Sequence, residues 1–476
     1  MRPKLQLLDP PLLDRILAEA FQAIHSPGIR VAVPAAIDLL ASAGCIIENG
    51  IARIPEPVAR QALSTAPREF SLHNRAGDPV VHYGGDDVHF DPGSSCLQVL
   101  DPDSLQPRPA QTADLIRLVQ VAEALPAYAA QSTAVVCNDV PQEVGDLYRL
   151  FIVLTHSNKP IVTGAFSAEG LAPMLELLAI DAGGAAVLRR KPRAIFDVCP
   201  SPPLNWSDFA AQNLLDLAHA GVPTEIISVP MAGATAPVTL AGAVVQHAAE
   251  CIAGITIHQL AAPGAPVVWG GAPTIFDMRT GGAPMGAIET AMLNLACSQV
   301  GKSFSLPTHG YLVASDSKLL DAQAGLEAGM TAVLGALAGI NMISGAGMLE
   351  LLATHSPEKL AFDAEAIGAA LRLIRGIEPR GDSLALAMLA QTGLKGDFLK
   401  LKETRALFRL EQHFPSELID RGEVLPDNAR RPDTFTRARE RVASLVAAYQ
   451  PPTIAPEKEK TMRSLLKSCG AGLAML

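Results

Sequence analysis

Thr224-Glu-Ile-Ile-Ser-Val229, the Ala- and Val-rich run over 236–260, and Pro266-Val-Val-Trp-Gly270 decide the fold. The outer two are short, apolar and β-branched, and the middle one is long enough for six or seven helical turns. This is the order strand, crossover helix, strand, which builds a parallel sheet. The same texture extends both ways from about residue 86. Further strand-like runs fall at 95–100, 129–137, 160–164, 193–198, 303–308 and 340–344, with another clear helix at 288–301. Eight α/β units of roughly 25–45 residues predict a (β/α)8 TIM barrel, and no G-x-G-x-x-G follows any strand to favour an open dinucleotide-binding sheet.

The barrel is expected over 86–395. Residues 1–85 read as a helical N-terminal cap: Pro10 and Pro11 precede an amphipathic run over 12–24, Pro34 opens a second helix, and Glu48-Asn49-Gly50 turns between short strands. From 396 the chain returns to charged helix, a C-terminal helical extension running to 476, in which the basic stretch 458–468 is expected to be a solvated tail.

With 476 residues, 49% hydrophobic, the chain can bury a large core. Thirty-eight Lys and Arg against 48 Asp and Glu give −10, with no basic patch interleaved with aromatics, so nucleic acid is not an expected partner. Charges interrupt residues 1–30, and no stretch of ~18 residues lacks a charge, Pro or Gly; a cytoplasmic chain without membrane contact is expected. Seven cysteines, odd in number and widely spread, form no C-x-x-C pair, so neither disulfides nor a zinc site is expected.

In such a barrel the site lies at the C-terminal strand ends. The polar and aromatic residues there are Phe166 and Ser167; Asp197, Cys199 and Trp206; Trp269, Phe276, Asp277 and Arg279; His309, Tyr311, Asp316 and Lys318; and Glu350. Both tryptophans of the chain fall at these exits. Either they anchor loops to helices, or with Phe166, Phe276, Tyr311 and Asp277 they cage a quaternary ammonium, which has no N–H and must be held by aromatic faces or carboxylates. Other chemistries lack their signatures. His156, His309 and Asp316 have no metal-ligand spacing, Lys318 sits beside Asp316 rather than in an apolar Schiff-base setting, and no G-x-S-x-G elbow is present. No catalytic acid, base or nucleophile stands out.

Asp139-Val-Pro-Gln-Glu-Val-Gly-Asp-Leu-Tyr-Arg149, Met231-Ala-Gly-Ala-Thr-Ala-Pro-Val-Thr-Leu-Ala-Gly242, Asp277-Met-Arg-Thr-Gly281, Ser315-Asp-Ser-Lys-Leu-Leu-Asp-Ala-Gln-Ala-Gly325 and Gly345-Ala-Gly-Met-Leu-Glu350 together resemble the trimethylamine methyltransferase superfamily, in its branch without pyrrolysine. The resemblance implies a barrel enzyme that passes a methyl group from a methylated amine, such as glycine betaine, to the cobalamin of a separate corrinoid-binding protein. Where relatives tend to carry His-Thr, this chain has Glu403-Thr404. For a betaine, Arg279 is the expected carboxylate partner, unless it pairs with Asp277; backbone N–H groups near Thr235 could assist, and His309 and Glu350 could touch substrate or corrin.

The chemistry agrees with the resemblance. A quaternary ammonium expels a neutral amine, so a strong nucleophile needs alignment and desolvation but no general acid. The leading expectation is a quaternary-amine methyltransferase. Its alternatives are a quaternary-ammonium sensor on the same scaffold, or a metal-dependent lyase or hydrolase. Association into a homo-oligomer is also expected.

Overall fold

The computed structural model describes residues 2–166, 168–422 and 432–472; Ser167, Arg430 and Arg431 lie outside them. Eight parallel strands alternate with eight helices. The strands are β1 (His89–Pro92), β2 (Gln131–Ser132), β3 (Ile161–Gly164), β4 (Ala194–Val198), β5 (Thr224–Ser228), β6 (Val267–Gly271), β7 (His309–Tyr311) and β8 (Met342–Ala346). The helices that follow them in turn are α1 (Thr112–Ala124), α2 (Gln142–His156), α3 (Ala168–Ala182), α4 (Asp208–Ala220), α5 (Leu240–Ala261), α6 (Ile288–Ser303), α7 (Ala322–Ala338) and α8 (Pro357–Ile374). Hydroxyl and carboxylate caps start several of them: Ser207, Thr239, Asp321 and Ser356 each accept a first-turn backbone N–H.

One sheet runs β6-β5-β4-β3-β2 and the other β7-β8-β1. A parallel bridge between Trp269 and Thr308 links β6 to the segment entering β7. On the other side Ala129 N donates to Phe90 O at 2.9 Å, and Cys96 bridges Val135.

Three expected strands are corrected. The first strand is His89–Pro92, not 95–100; Gln98–Leu100 instead pairs with Thr354–His355 and Pro107–Pro109 in a separate small sheet. Pro92 and the acidic Asp91 mask β1 in the sequence. The seventh strand is His309–Tyr311 rather than 303–308, because α6 continues through Ser303 and Ser305 turns with φ 58°. Within 129–137 only Gln131 and Ser132 form ladder, with the isolated bridge at Val135.

The N-terminal segment packs its helix Pro10–His25 on α5, and its hairpin, Phe70–His73 paired with Pro79–Tyr83, on the strands. α5 is long and apolar enough to cross a membrane by length and composition, but 78% of its apolar window is buried inside this protein. The stretch 458–468 is not a free tail: helix Pro456–Ser468 docks on α3 and α2 and buries Met462 and Leu466. Helices Leu386–Thr392 and Lys402–Glu411 bury no residue. Glu403 and Thr404 lie on the second of these, and Thr404 Oγ1 bonds locally to Phe398 O at 2.6 Å.

Candidate functional site

Neighbours in a parallel ladder share a face, and side chains along each strand alternate. Ala130, Val162, Ile195, Val268 and Met342, from both sheets, form one apolar cluster with Leu72, Val81 and Tyr83 of the N-terminal hairpin. The hairpin therefore closes the N-terminal end of the inner face. Two residues further along each strand the inner face turns polar. Gly164 pairs with Asp197, Asp197 with Glu225, and Tyr311 with Ser344, while Asp91 and His309 stand on the neighbouring strands. Gly270 leaves room, since a Cβ there would lie 3.1 Å from the Cβ of His309 and 2.9 Å from Ile226 O.

Three carboxyl groups, Asp91, Asp197 and Glu225, are thus gathered in a low-dielectric interior. Tyr83 Oη donates to Glu225 Oε1 at 2.7 Å, and Ser344 Oγ donates to Asp91 Oδ1 at 2.6 Å. His309 Nε2 is 2.9 Å from Ser344 Oγ. With the serine proton on Asp91, Nε2 donates to Ser344 and Nδ1 is left a bare acceptor. Counted as carboxylates, Asp91 Oδ2, Asp197 Oδ1 and Glu225 Oε2 find no donor, and neither does His309 Nδ1. A proton shared between Asp197 and Glu225 eases one repulsion and supplies a bond that two anions cannot make.

Burial is the main cause of every shift here. It pushes Asp197 up to about 7, and it raises Glu225 and Asp91 well above the carboxylate range, each further raised by a neighbouring acid. It lowers His309 to about 3, so the imidazole is neutral. No lysine or arginine stands among the groups that shift the three acids most. Buried acids without a counter-charge are costly, and a cation placed among these oxygens would lower that cost. Among the described residues no three or more His, Cys, Asp or Glu side chains form a metal-binding group.

Of the residues expected from sequence, His309 and Tyr311 reach this face together, their rings 6.2 Å apart. Tyr311 Oη accepts from Ser94 N at 3.0 Å and reaches Met348 Sδ at 3.1 Å. The aromatic cage does not form. Trp206 pairs with Val31 of the N-terminal sheet and packs on α5, where a Cβ on Gly254 would come within 2.3 Å of its ring. Trp269 alternates out of the inner face onto α6, against Gly301, with Phe304 at 5.8 Å. Both tryptophans are fully buried packing anchors.

The remaining expected residues lie on strand-exit loops. Phe166 is exposed, 5.2 Å from the guanidinium of the buried Arg149. Phe276 precedes a turn in which Arg279 Nε and Nη2 bind Asp277 Oδ1 and Oδ2 at 2.9 and 2.7 Å, with the arginine side chain 88% exposed. Arg279 is therefore the partner of Asp277. Glu350 accepts from Thr354 Oγ1 at 2.6 Å and sits in a left-handed turn, φ 51°. Sequence reasoning missed Asp91, Glu225, Ser344 and Tyr83, and it noted Asp197 only as an exit residue. The available signal was a carboxylate inside a strand run such as Thr224-Glu-Ile-Ile, where both faces of a parallel strand are buried.

The comparisons match this architecture. The chain matches the trimethylamine methyltransferase (MTTB) family over residues 1–468. It is 31% identical to the trimethylamine methyltransferase MttB of Methanosarcina thermophila, covering 95% of this chain and 96% of that one. It is 28% identical to a glycine betaine methyltransferase of Desulfitobacterium hafniense, over 98% of each. Among solved structures, the monomethylamine methyltransferase MtmB of Methanosarcina barkeri superposes with a TM-score of 0.56 at 12% identity, covering 94% of this chain and 90% of that one. Eight α/β units around a polar inner face, matched along nearly the whole sequence, make this chain a member of the trimethylamine methyltransferase family.

Proposed function

We propose that the eight strands close into a (β/α)8 barrel, capped by residues 1–85 and followed by the C-terminal extension, and that the enzyme moves a methyl group from a quaternary amine to the cob(I)alamin of a corrinoid-binding protein. The observation that carries this reading is the set of inner-face carboxyls with no protein counter-ion. A quaternary ammonium supplies the missing charge while offering no N–H, so its recognition rests on Coulomb attraction and shape.

Transfer discharges the nitrogen. Full carboxylate charge beside it favours the bound substrate over the transition state, a cost that falls because carboxyls raised by burial regain a proton once the cation is discharged. The carboxyls then bind and orient, and the corrinoid supplies the nucleophile. Tyr83 and Ser344 fix the carboxyl orientations, and the hairpin shuts the far end against water. A partner at the open end is supported by the exposed Phe166, Val238, Met278 and Leu351, which stand on the loops after β3, β5, β6 and β8. Self-association is supported by Ile377, Leu386, Leu394 and Leu399, exposed on the excursion beyond α8.

The test is to mix the protein with chemically reduced cobalamin and a panel of quaternary amines, with trimethylamine beside them. Loss of the cob(I)alamin absorbance with at least one quaternary amine is expected. No loss with any of them rejects methyl transfer, and binding without loss favours a sensing role.

A further inference from the structure

The inner face carries three acids, and its inward positions on all eight strands include no lysine or arginine. The basic residues nearest the strand exits are already engaged. Arg279 is bidentate on Asp277 and exposed. Arg149 spends its terminal nitrogens on Asp146 at 2.7 Å, Ser95 Oγ at 3.1 Å and Thr133 O at 3.2 Å. Lys359 is fully buried on Asp363 and Val313 O, at 2.6 and 2.9 Å. The backbone N–H groups of Ala234, Thr235 and Ala236 all turn back onto Met231 O at 3.0 Å. His309 is neutral.

We infer that the substrate is a quaternary ammonium ion with no carboxylate close to its nitrogen, of the choline or tetramethylammonium type, and not an α-betaine. This rests on the methyl-transfer reading and narrows it. In an α-betaine the carboxylate is two bonds from the nitrogen. Seating the nitrogen among Asp91, Asp197 and Glu225 brings that carboxylate against the same acidic face with no cation to meet it. One unit of repulsion across ~5 Å at an effective dielectric of ~20 costs on the order of a hundredfold in affinity. A hydroxyl tail faces no such penalty, and the bare Nδ1 of His309 offers it an acceptor.

The experiment compares choline, tetramethylammonium and glycine betaine as methyl donors to reduced cobalamin, with the thermal shift each ligand gives the same protein as a second readout. The expected result is kcat/KM at least tenfold higher for a carboxylate-free ion than for glycine betaine, with the larger shift in Tm from the same ion. Equal or better turnover of glycine betaine overturns the inference and leaves methyl transfer standing. Silence from all three in both readouts overturns the inference and the methyl-transfer reading together. If transfer is absent but ligands bind, the order of the thermal shifts decides the inference alone. In Glu225→Gln and Asp197→Asn the ratio of carboxylate-free ion to betaine should fall toward one, an effect that a merely structural role of these residues does not produce. An unchanged ratio in both folded variants overturns the electrostatic basis.

Discussion

Asp181 and the acids of the inner face are shielded from water to similar degrees, yet the fold treats them in opposite ways. Beneath the strands Asp181 is held by Arg75 on one oxygen and Arg193 on the other, so each lone pair facing the core meets a guanidinium. On the inner face Asp91, Asp197 and Glu225 meet a tyrosine, a serine and one another. The fold provides two arginines for one structural aspartate and none for the three inner-face acids, which burial makes hold protons that an arriving cation can displace. The difference separates an acid that holds the protein together from acids that hold a ligand.

The comparison breaks or sharpens in four places. Asp181→Ala strands two buried guanidiniums and should lower stability by about 3–5 kcal/mol. Chemical denaturation measures this, and cation affinity of the folded fraction should stay unchanged. Asp197→Asn and Glu225→Gln should do the reverse: stability held or raised, and affinity for a quaternary ammonium lowered about a hundredfold, or ~3 kcal/mol, by calorimetric titration. Substantial unfolding of both would place these acids with Asp181.

The third test is pH. Asp197 titrates near 7 in the folded chain, above its unfolded value of ~3.9, so the folded state binds more protons between them. Stability of the free protein should therefore be fullest below about pH 4 as far as this group is concerned, and it should fall by roughly 4 kcal/mol as pH rises from there through 7. Urea midpoints at several pH values check the slope, which saturating ligand should flatten. The smallest effect belongs to Arg279→Ala, which removes an exposed pair and should change methyl transfer by no more than about twofold. A larger loss restores Arg279 to the site.

Much of this was legible in the chain. Alternation alone predicted eight α/β units, and four of the eight strands fall inside their expected windows. β6 overruns its window by one residue and β8 by two, while β1 and β7 failed because proline and serine at their edges read as loop. The site was harder. Trp206 and Trp269 are conspicuous by rarity, but strand parity decides direction, and parity depends on which neighbour each strand pairs with. With Val268 turned inward, Trp269 must turn out. Glu225 could have been singled out as a charge in the middle of a doubly buried strand, whereas Tyr83 could not, because it reaches the site only when a hairpin 142 residues earlier folds beneath it.

The most direct measurement is the proton count on binding. Titrating tetramethylammonium or choline into the protein near pH 6, in two buffers of different ionisation enthalpy, gives the number released. If a cation completes the inner face, its arrival ionises the Asp197–Glu225 pair, and close to one proton should leave, with the release falling in the double variant Asp197→Asn, Glu225→Gln. Binding with no buffer dependence, or with proton uptake, would contradict the claim that these carboxyls await a positive charge.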